Sequence, residues 1–312
     1  MRIAVTGANG FVGRAVCQAF AAAQHTVRPL VRGTEATWPQ AMAIGPIGAN
    51  TEWNEALRDI DCVVHCAARV HVMSETEADP LTAFRAVNVL GTRQLAQQAA
   101  KIGVKRFIFL STLKVHGERT EPNHPFQASD PPSPSDPYSV SKWEGEQAVM
   151  DVARESGMEY VVIRPPLIYG PGVKANFAKL LKAVARGLPL PLGGIENQRS
   201  MVNLSNLTDL IEVCARHPRA HGHAFLISDG QDVSTPELLN CMGRALGKPT
   251  RLVAIPPICL QLIGRLSGRQ AQIDRLTSSL QVDIGHTTEV LGWTPRTNLY
   301  QALQELVQAD VT

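Results

Sequence analysis

A glycine-rich turn directly behind the first apolar run constrains this chain more than any other feature. Arg2-Ile3-Ala4-Val5-Thr6 reads as a short buried strand. Gly7-Ala8-Asn9-Gly10-Phe11-Val12-Gly13 reads as the turn, and the residues to Ala23 as a helix. Strand, glycine turn and helix in this order mark a dinucleotide-binding unit. Gly7 permits the tight turn, Gly10 lets backbone approach a pyrophosphate, and Gly13 lets the helix pack closely on the strand. The helix start then offers its unpaired N–H groups to the phosphates.

The next strand, His25 to Gly33, ends without the Asp or Glu that holds ribose hydroxyls in an NAD site; Arg32 stands at its tip. A cation there suits a 2′-phosphate, so NADP(H) is expected over NAD(H). Apolar runs follow at Asp61–Ala68, Val104–Ser111 and Tyr160–Arg164. Between them lie a helix from Asp79-Pro80 to Ile102, a proline-rich loop (Glu121 to Pro137) and a helix that opens at Tyr138. The alternation predicts an α/β fold with a doubly wound parallel Rossmann sheet. Beyond Arg164 the texture changes. A rigid loop (Pro165 to Gly172), a helix (Phe177 to Arg186), a short strand (Arg199 to Leu204) and a strand rejoining the sheet (His223 to Ser228) are expected, then helices at Pro236–Leu246, Pro256–Leu266 and Leu299–Gln308. Residues 1–164 with about 200–229 form the NAD(P)-binding domain, and 165–199 with 230–312 a smaller C-terminal substrate-binding lid. The apolar stripe Ile255–Leu266 is assigned to the lid core rather than to a membrane anchor.

Exclusions are quick. A net charge of +2 on 312 residues argues for no nucleic-acid surface. The longest apolar runs are too short to cross a bilayer, and no signal peptide is expected ahead of the first strand. Six cysteines form no CxxC, and nine histidines show no ligand spacing, so no metal is expected. These features together suit a reduced, cytoplasmic enzyme.

Tyr138 and Lys142 stand four apart, one helical turn from each other. An ammonium near the phenol lowers its pKa and makes Tyr138 a usable proton donor or acceptor.

The glycine turn, His65-Cys66-Ala67-Ala68, Asn88-Val89-Leu90-Gly91-Thr92, Ser111-Thr112 and Tyr138…Lys142 together resemble an extended short-chain dehydrogenase/reductase. The branch is that of UDP-glucose 4-epimerases, nucleotide-sugar 4,6-dehydratases and 4-ketoreductases. The resemblance implies catalytic Thr112, Tyr138 and Lys142. It implies cofactor contacts from Gly7, Asn9, Gly10, Phe11, Val12, Gly13, Arg32, Ala67, Ala68, Pro165 and the Tyr138–Lys142 pair. Substrate contacts are implied at Ser111, Thr112, Lys114, Tyr138, Asn176 with Phe177 beside it, Arg199 toward a diphosphate, and Arg275 as a second phosphate or a ribose clamp. It also implies a homodimer through the helices carrying Asn88 and Tyr138, with Leu95, Ala99, Ala148 and Val152 as apolar faces.

Departures narrow the activity. Leu113 and Lys114 stand where a 4,6-dehydratase has Asp-Glu, and neither side chain can eliminate water. Gly45-Pro46-Ile47 replaces the usual Gly-Asp beside adenine, and Leu167 a more common Asn. The sequence is most similar to bacterial UDP-2-acetamido-2,6-dideoxy-hexos-4-ulose 4-reductases, which serve surface polysaccharide (O-antigen) synthesis. A 4-ketoreductase acting on a UDP-4-keto sugar is therefore the first expectation. A UDP-sugar 4-epimerase with retained NAD is the alternative, and a non-catalytic NAD(P)-binding protein a remote one.

Overall fold

The computed structural model describes residues 1–33, 38, 40–70, 79–121, 123–268 and 270–309. The chain begins β1 (Arg2–Thr6), α1 (Phe11–Ala22), β2 (Thr26–Val31), β3 (Met42–Ala43), α2 (Asn54–Leu57), β4 (Cys62–His65). Next, α3 (Pro80–Arg85) passes through a π-helical segment (Ala86–Gly91) into α4 (Thr92–Ile102). Then come β5 (Arg106–Leu110), a 3-10 turn (Leu113–Val115), α5 (Pro137–Ser156), β6 (Glu159–Arg164), β7 (Leu167–Tyr169) and α6 (Ala175–Ala185). The remainder is β8 (Met201–Asn203), α7 (Leu204–Arg216), β9 (His223–Leu226), α8 (Thr235–Ala245), α9 (Pro257–Leu266), α10 (Gln270–Thr277), α11 (Gly285–Leu291) and α12 (Leu299–Ala309).

Seven parallel strands form one sheet in the order β3-β2-β1-β4-β5-β6-β9. The order reverses between β1 and β4, and such a switch point opens a crevice at the strands' carboxyl ends. Residues alternate between the two faces, as strand geometry requires. Ile3, Val5, Val64, Ile108 and Ile163 pack with Phe20 of α1 and Leu210 of α7. Ala4, Val63, Phe107, Phe109 and Val162 pack with Leu95 of α4 and Val149 of α5. Each such large side chain fully removed from water contributes roughly 1.5–3 kcal/mol. A third cluster (Phe177, Leu181, Leu239, Leu260, Leu303 and neighbours) is the core of the lid. β7 and β8 pair beside it as a separate two-stranded sheet.

Three expectations change. Leu204 opens α7 rather than ending a strand, because the Asn203 side chain accepts from Ser205 N at 2.7 Å and caps the helix. Leu95, Ala99, Ala148 and Val152 are buried within the single chain, so they cannot form a pairing face. The sheet needs them, and any partner would meet the opposite sides of α4 and α5. The Ile255–Leu266 stripe is only half core: Leu260 is buried, while Ile258, Leu262 and Leu266 face outward.

Candidate active site

The glycine turn is shaped as the spacing predicts. Gly7 has φ +69°, and a Cβ on it would lie 3.0 Å from the Ala67 backbone. A Cβ on Gly13 would sit 2.2 Å from the Gly7 carbonyl oxygen, so only glycine lets α1 start this close. Gly10 N donates to that same oxygen at 2.8 Å. Gly10 caps α1 without a side chain, and the first turn carries no acid. Among the described residues the leading N–H groups therefore have no side-chain acceptor, and the turn fits a dinucleotide pyrophosphate. Opposite it, Thr6 Oγ1 accepts from Ala67 N at 3.1 Å and bonds His65 Nδ1 at 2.7 Å, while His65 Nε2 meets Thr92 Oγ1 at 3.0 Å. Burial and then Lys142 push the His65 pKa down to about 3, which keeps it neutral. Arg32 is exposed just past β2, and Ile47 packs tightly on Gly91 of the π segment.

Asp136 begins α5. Its carboxylate accepts from Ser139 N at 2.7 Å, Ser139 Oγ accepts from Asp136 N at 3.1 Å, and Pro137 occupies the first turn. This reciprocal cap fixes where Tyr138 points. Tyr138 meets Phe84 edge-on, with ring centroids 6.0 Å apart. Lys142 is 1% exposed, with Nζ 4.0 Å above the centre of the Phe109 ring. The pair's electrostatics reverse the sequence expectation. Burial, then Asp136, pushes the Tyr138 pKa up to about 12. Burial pulls Lys142 down to about 7 against Glu146 and Cys66, which favour its charge. Desolvation outweighs any ammonium–phenolate attraction in this dry corner.

Sequence reading missed what holds the pair in place. Ser141 Oγ donates to Tyr138 O at 2.7 Å, and Asn88 Nδ2 donates to Ser141 Oγ at 2.9 Å. Asn88 also clasps the Arg69 backbone, accepting from N at 2.8 Å and donating to O at 3.0 Å. One turn beyond Lys142, buried Glu146 accepts from Arg164 Nη2 at 2.6 Å and Nε at 3.1 Å. Arg164 Nη1 donates to His116 Nε2 at 2.9 Å, and burial with that cation pushes the His116 pKa down to about 4. The Asp136-Pro137-x-Ser139 cap was readable as a helix-start signal. Glu146, four after Lys142, carried a helical spacing, whereas Arg164 and His116 reach it only through tertiary folding.

β5 delivers the hydroxyls. Ser111 N donates to Ile163 O at 2.8 Å, while its buried Oγ has no hydrogen-bond partner among the described residues. Thr112 caps the 3-10 turn, its Oγ1 accepting from Lys114 N at 3.3 Å. Pro165 O accepts from Leu113 N at 2.8 Å and so ties the next loop to this one. Lys114, expected on substrate, donates instead to Asp136 Oδ2 at 2.6 Å and Glu118 Oε1 at 2.7 Å. It thereby links the Thr112 turn to the cap beneath Tyr138.

In the lid, Arg199 Nη1 donates to Ser278 O at 3.0 Å, and burial together with Arg275 draws its pKa down. Neither arginine makes an ion pair among the described residues, so two cations face each other where an anion would relieve both. Asn176 is exposed at the start of α6. Phe177 is lid core, stacked on Tyr169 with centroids 5.3 Å apart, and is removed from the substrate contacts.

Lys142 senses His65 and Cys66, whose strand end leads to the Ala67 backbone beside Gly7. One crevice thus joins a dinucleotide turn to a half-buried tyrosine and a buried lysine, an arrangement that belongs to nicotinamide-dependent oxidoreductases of the Rossmann class. Residues 3–228 match the NAD dependent epimerase/dehydratase family, and the chain belongs to that family. It is 46% identical over 310 residues to the UDP-glucose 4-epimerase of Vibrio cholerae, covering 98% of this chain and 94% of that one. Its fold is that of the Thermotoga maritima UDP-glucose 4-epimerase solved with UDP-glucose (TM-score 0.80, 23% identity, 100% and 99% covered). It is also that of the Bacillus cereus UDP-glucuronic acid 4-epimerase solved with NAD (TM-score 0.77, 21% identity, 99% and 96% covered).

Proposed function

We propose that this enzyme is a UDP-sugar 4-epimerase that keeps NAD bound through its cycle. The observation that carries the reading is the end-to-end 46% identity to a UDP-glucose 4-epimerase. The Gly7–Gly13 turn and the N-terminus of α1 would hold the pyrophosphate, with Ala67, Ala68 and Pro165 around the nicotinamide half. Bound NAD supplies reversible hydride transfer at the sugar C4. Tyr138 takes the proton of the C4 hydroxyl and returns it, and Thr112 Oγ1 orients that oxygen. Lys142 compensates the phenolate once protonated, and Glu146 favours that charge. Arg199 and Arg275 hold the diphosphate, which makes residues 165–199 and 230–312 the substrate-holding part. Leu113 and Lys114 leave no acid–base pair for dehydration. Pairing of two chains is expected through the outward sides of α4 and α5.

The second reading is a 4-ketoreductase using exchangeable NADPH, and Arg32 favours it: exposed just past β2, it has no acid beside it among the described residues to select NAD. One experiment separates the two. Purified protein is given UDP-glucose or UDP-N-acetylglucosamine with no added cofactor, and the C4 epimer is sought by NMR. Interconversion establishes the epimerase. No interconversion, with NADPH consumed on a 4-keto UDP-sugar, overturns it for the reductase.

A further inference from the structure

α9 divides its residues sharply. Leu260 is buried in the lid core, and a Cβ on Gly264 would come within 2.9 Å of Ile273 on α10. That seats one side of α9 against its neighbour. Ile258, Leu262 and Leu266 are four apart, so they form one line on the far side. They are 73%, 58% and 82% exposed. Val253, on the approach to α9, adds to this surface at 48% exposed. Single exposed leucines are ordinary, whereas an apolar line along a helix calls for an occupant.

Charge indicates which occupant. Residues 244–275 hold six Lys or Arg against the lone Asp274. Residues 171–195 hold four against none. The two segments lie together: Leu190 N donates to Arg251 O, Val253 N to Leu190 O and Gly193 N to Val253 O. They carry +9 in a chain of net +2, which leaves −7 on the rest. Lys248, Arg251 and Arg265 are exposed and make no ion pair among the described residues.

We propose that this face of the lid docks on an anionic lipid bilayer, with α9 in the headgroup plane and Leu262 and Leu266 in the acyl boundary. An outward apolar line flanked by Lys and Arg is the pattern of an interfacial helix. A second copy fits worse. A two-fold contact through this face would set the cationic segments against each other. The other large exposed apolar side chains among the described residues (Met1, Val70, Leu90, Ile102, Leu167, Leu188, Tyr300) are spread over separate elements and offer no matching line. Nucleic acid would leave the apolar line in water. α10, which packs on α9, carries Arg275, so docking sets the Arg199–Arg275 pair close to the headgroups. The proposal is independent of which sugar the site accepts.

Sedimentation of the full chain with vesicles tests it. Binding is expected to vesicles of phosphatidylcholine mixed with phosphatidylglycerol and to fall with added salt. The Leu262→Asp/Leu266→Asp double variant should bind about tenfold more weakly, and Arg251→Glu/Arg265→Glu about 25-fold or more, at roughly fivefold per basic residue lost. All these side chains are exposed, so circular dichroism and turnover of a soluble UDP-sugar should stay unchanged in both variants. No binding to anionic vesicles overturns the proposal, as does equal binding by the Asp variant. Lipid-free oligomers that Leu262→Asp dissolves would also overturn it and assign the face to a second copy.

Discussion

Two helices aim their N-termini at the crevice, and they begin in opposite ways. α1 starts on a bare glycine, with no side-chain cap and no acid in its first turn. α5 starts on Asp136 and Ser139, which satisfy each other's backbone, with Lys114 neutralising the carboxylate. The first helix leaves its positive end for a ligand, while the second closes its own end and gains a fixed platform. Binding and positioning are thus divided between two helix starts. Burial is the main reason Tyr138 rises to about 12, and the division adds to it, since the cap that steadies Tyr138 sets a carboxylate two residues away.

The sharpest way to break this contrast is Tyr138→Phe, which leaves the α5 cap intact. It should lower kcat by about 10²–10⁴ without changing nucleotide retention, and surviving turnover would remove Tyr138 from the chemistry. Next, Glu146→Gln strands the Arg164 guanidinium inside the fold. A loss of roughly 3–5 kcal/mol is expected by urea unfolding, together with a lower Lys142 pKa in the pH–rate profile. Acid should undermine the same interior. His65 and His116 titrate near 3 and 4 when folded, against about 6.5 when unfolded. The unfolded chain then binds more protons below that value, so stability is full above pH ~6.5 and falls steadily toward pH ~4. Thermal melting across that range checks the slope, and His116→Gln should flatten part of it. Asp136→Ala removes the α5 cap at a cost of about 1 kcal/mol and should lower the Tyr138 pKa, readable by phenolate absorbance. Smallest of all, Arg14→Glu adds an acid to the α1 start. It should stabilise the free protein by about 0.3–1 kcal/mol while weakening NAD binding, and unchanged affinity would deny α1 its phosphate role.

The sheet was readable because its evidence is local. Gly7 and Gly13 follow a strand at fixed spacing, and β4 and β5 are continuous apolar runs. Tyr138 and Lys142 were equally plain as a helical pair. Their protonation was not, since it depends on desolvation by Phe84, Phe109 and other groups distant in sequence. Glu146, Arg164 and His116 meet only after β6 is laid beside β5. The lid was harder still. α10 is a short helix without a long periodic stretch, and the outward side of α9 is as apolar as a buried one. Composition alone cannot tell a stripe that is covered from one that waits.

The π segment between α3 and α4 has a consequence at the level of the gene. Such a segment is an α-helix with one residue inserted. Losing a single codon between Val87 and Leu90 would therefore leave an unbroken helix. The turns ahead of the deletion would rotate by about 100° relative to α4. Leu95 and Ala99 would keep their seats against the sheet. Phe84 would swing off the Tyr138 ring, and Arg85 would leave Glu144, to which Nε donates at 2.7 Å. A three-nucleotide deletion would thus spare the fold and dismantle one wall of the active site.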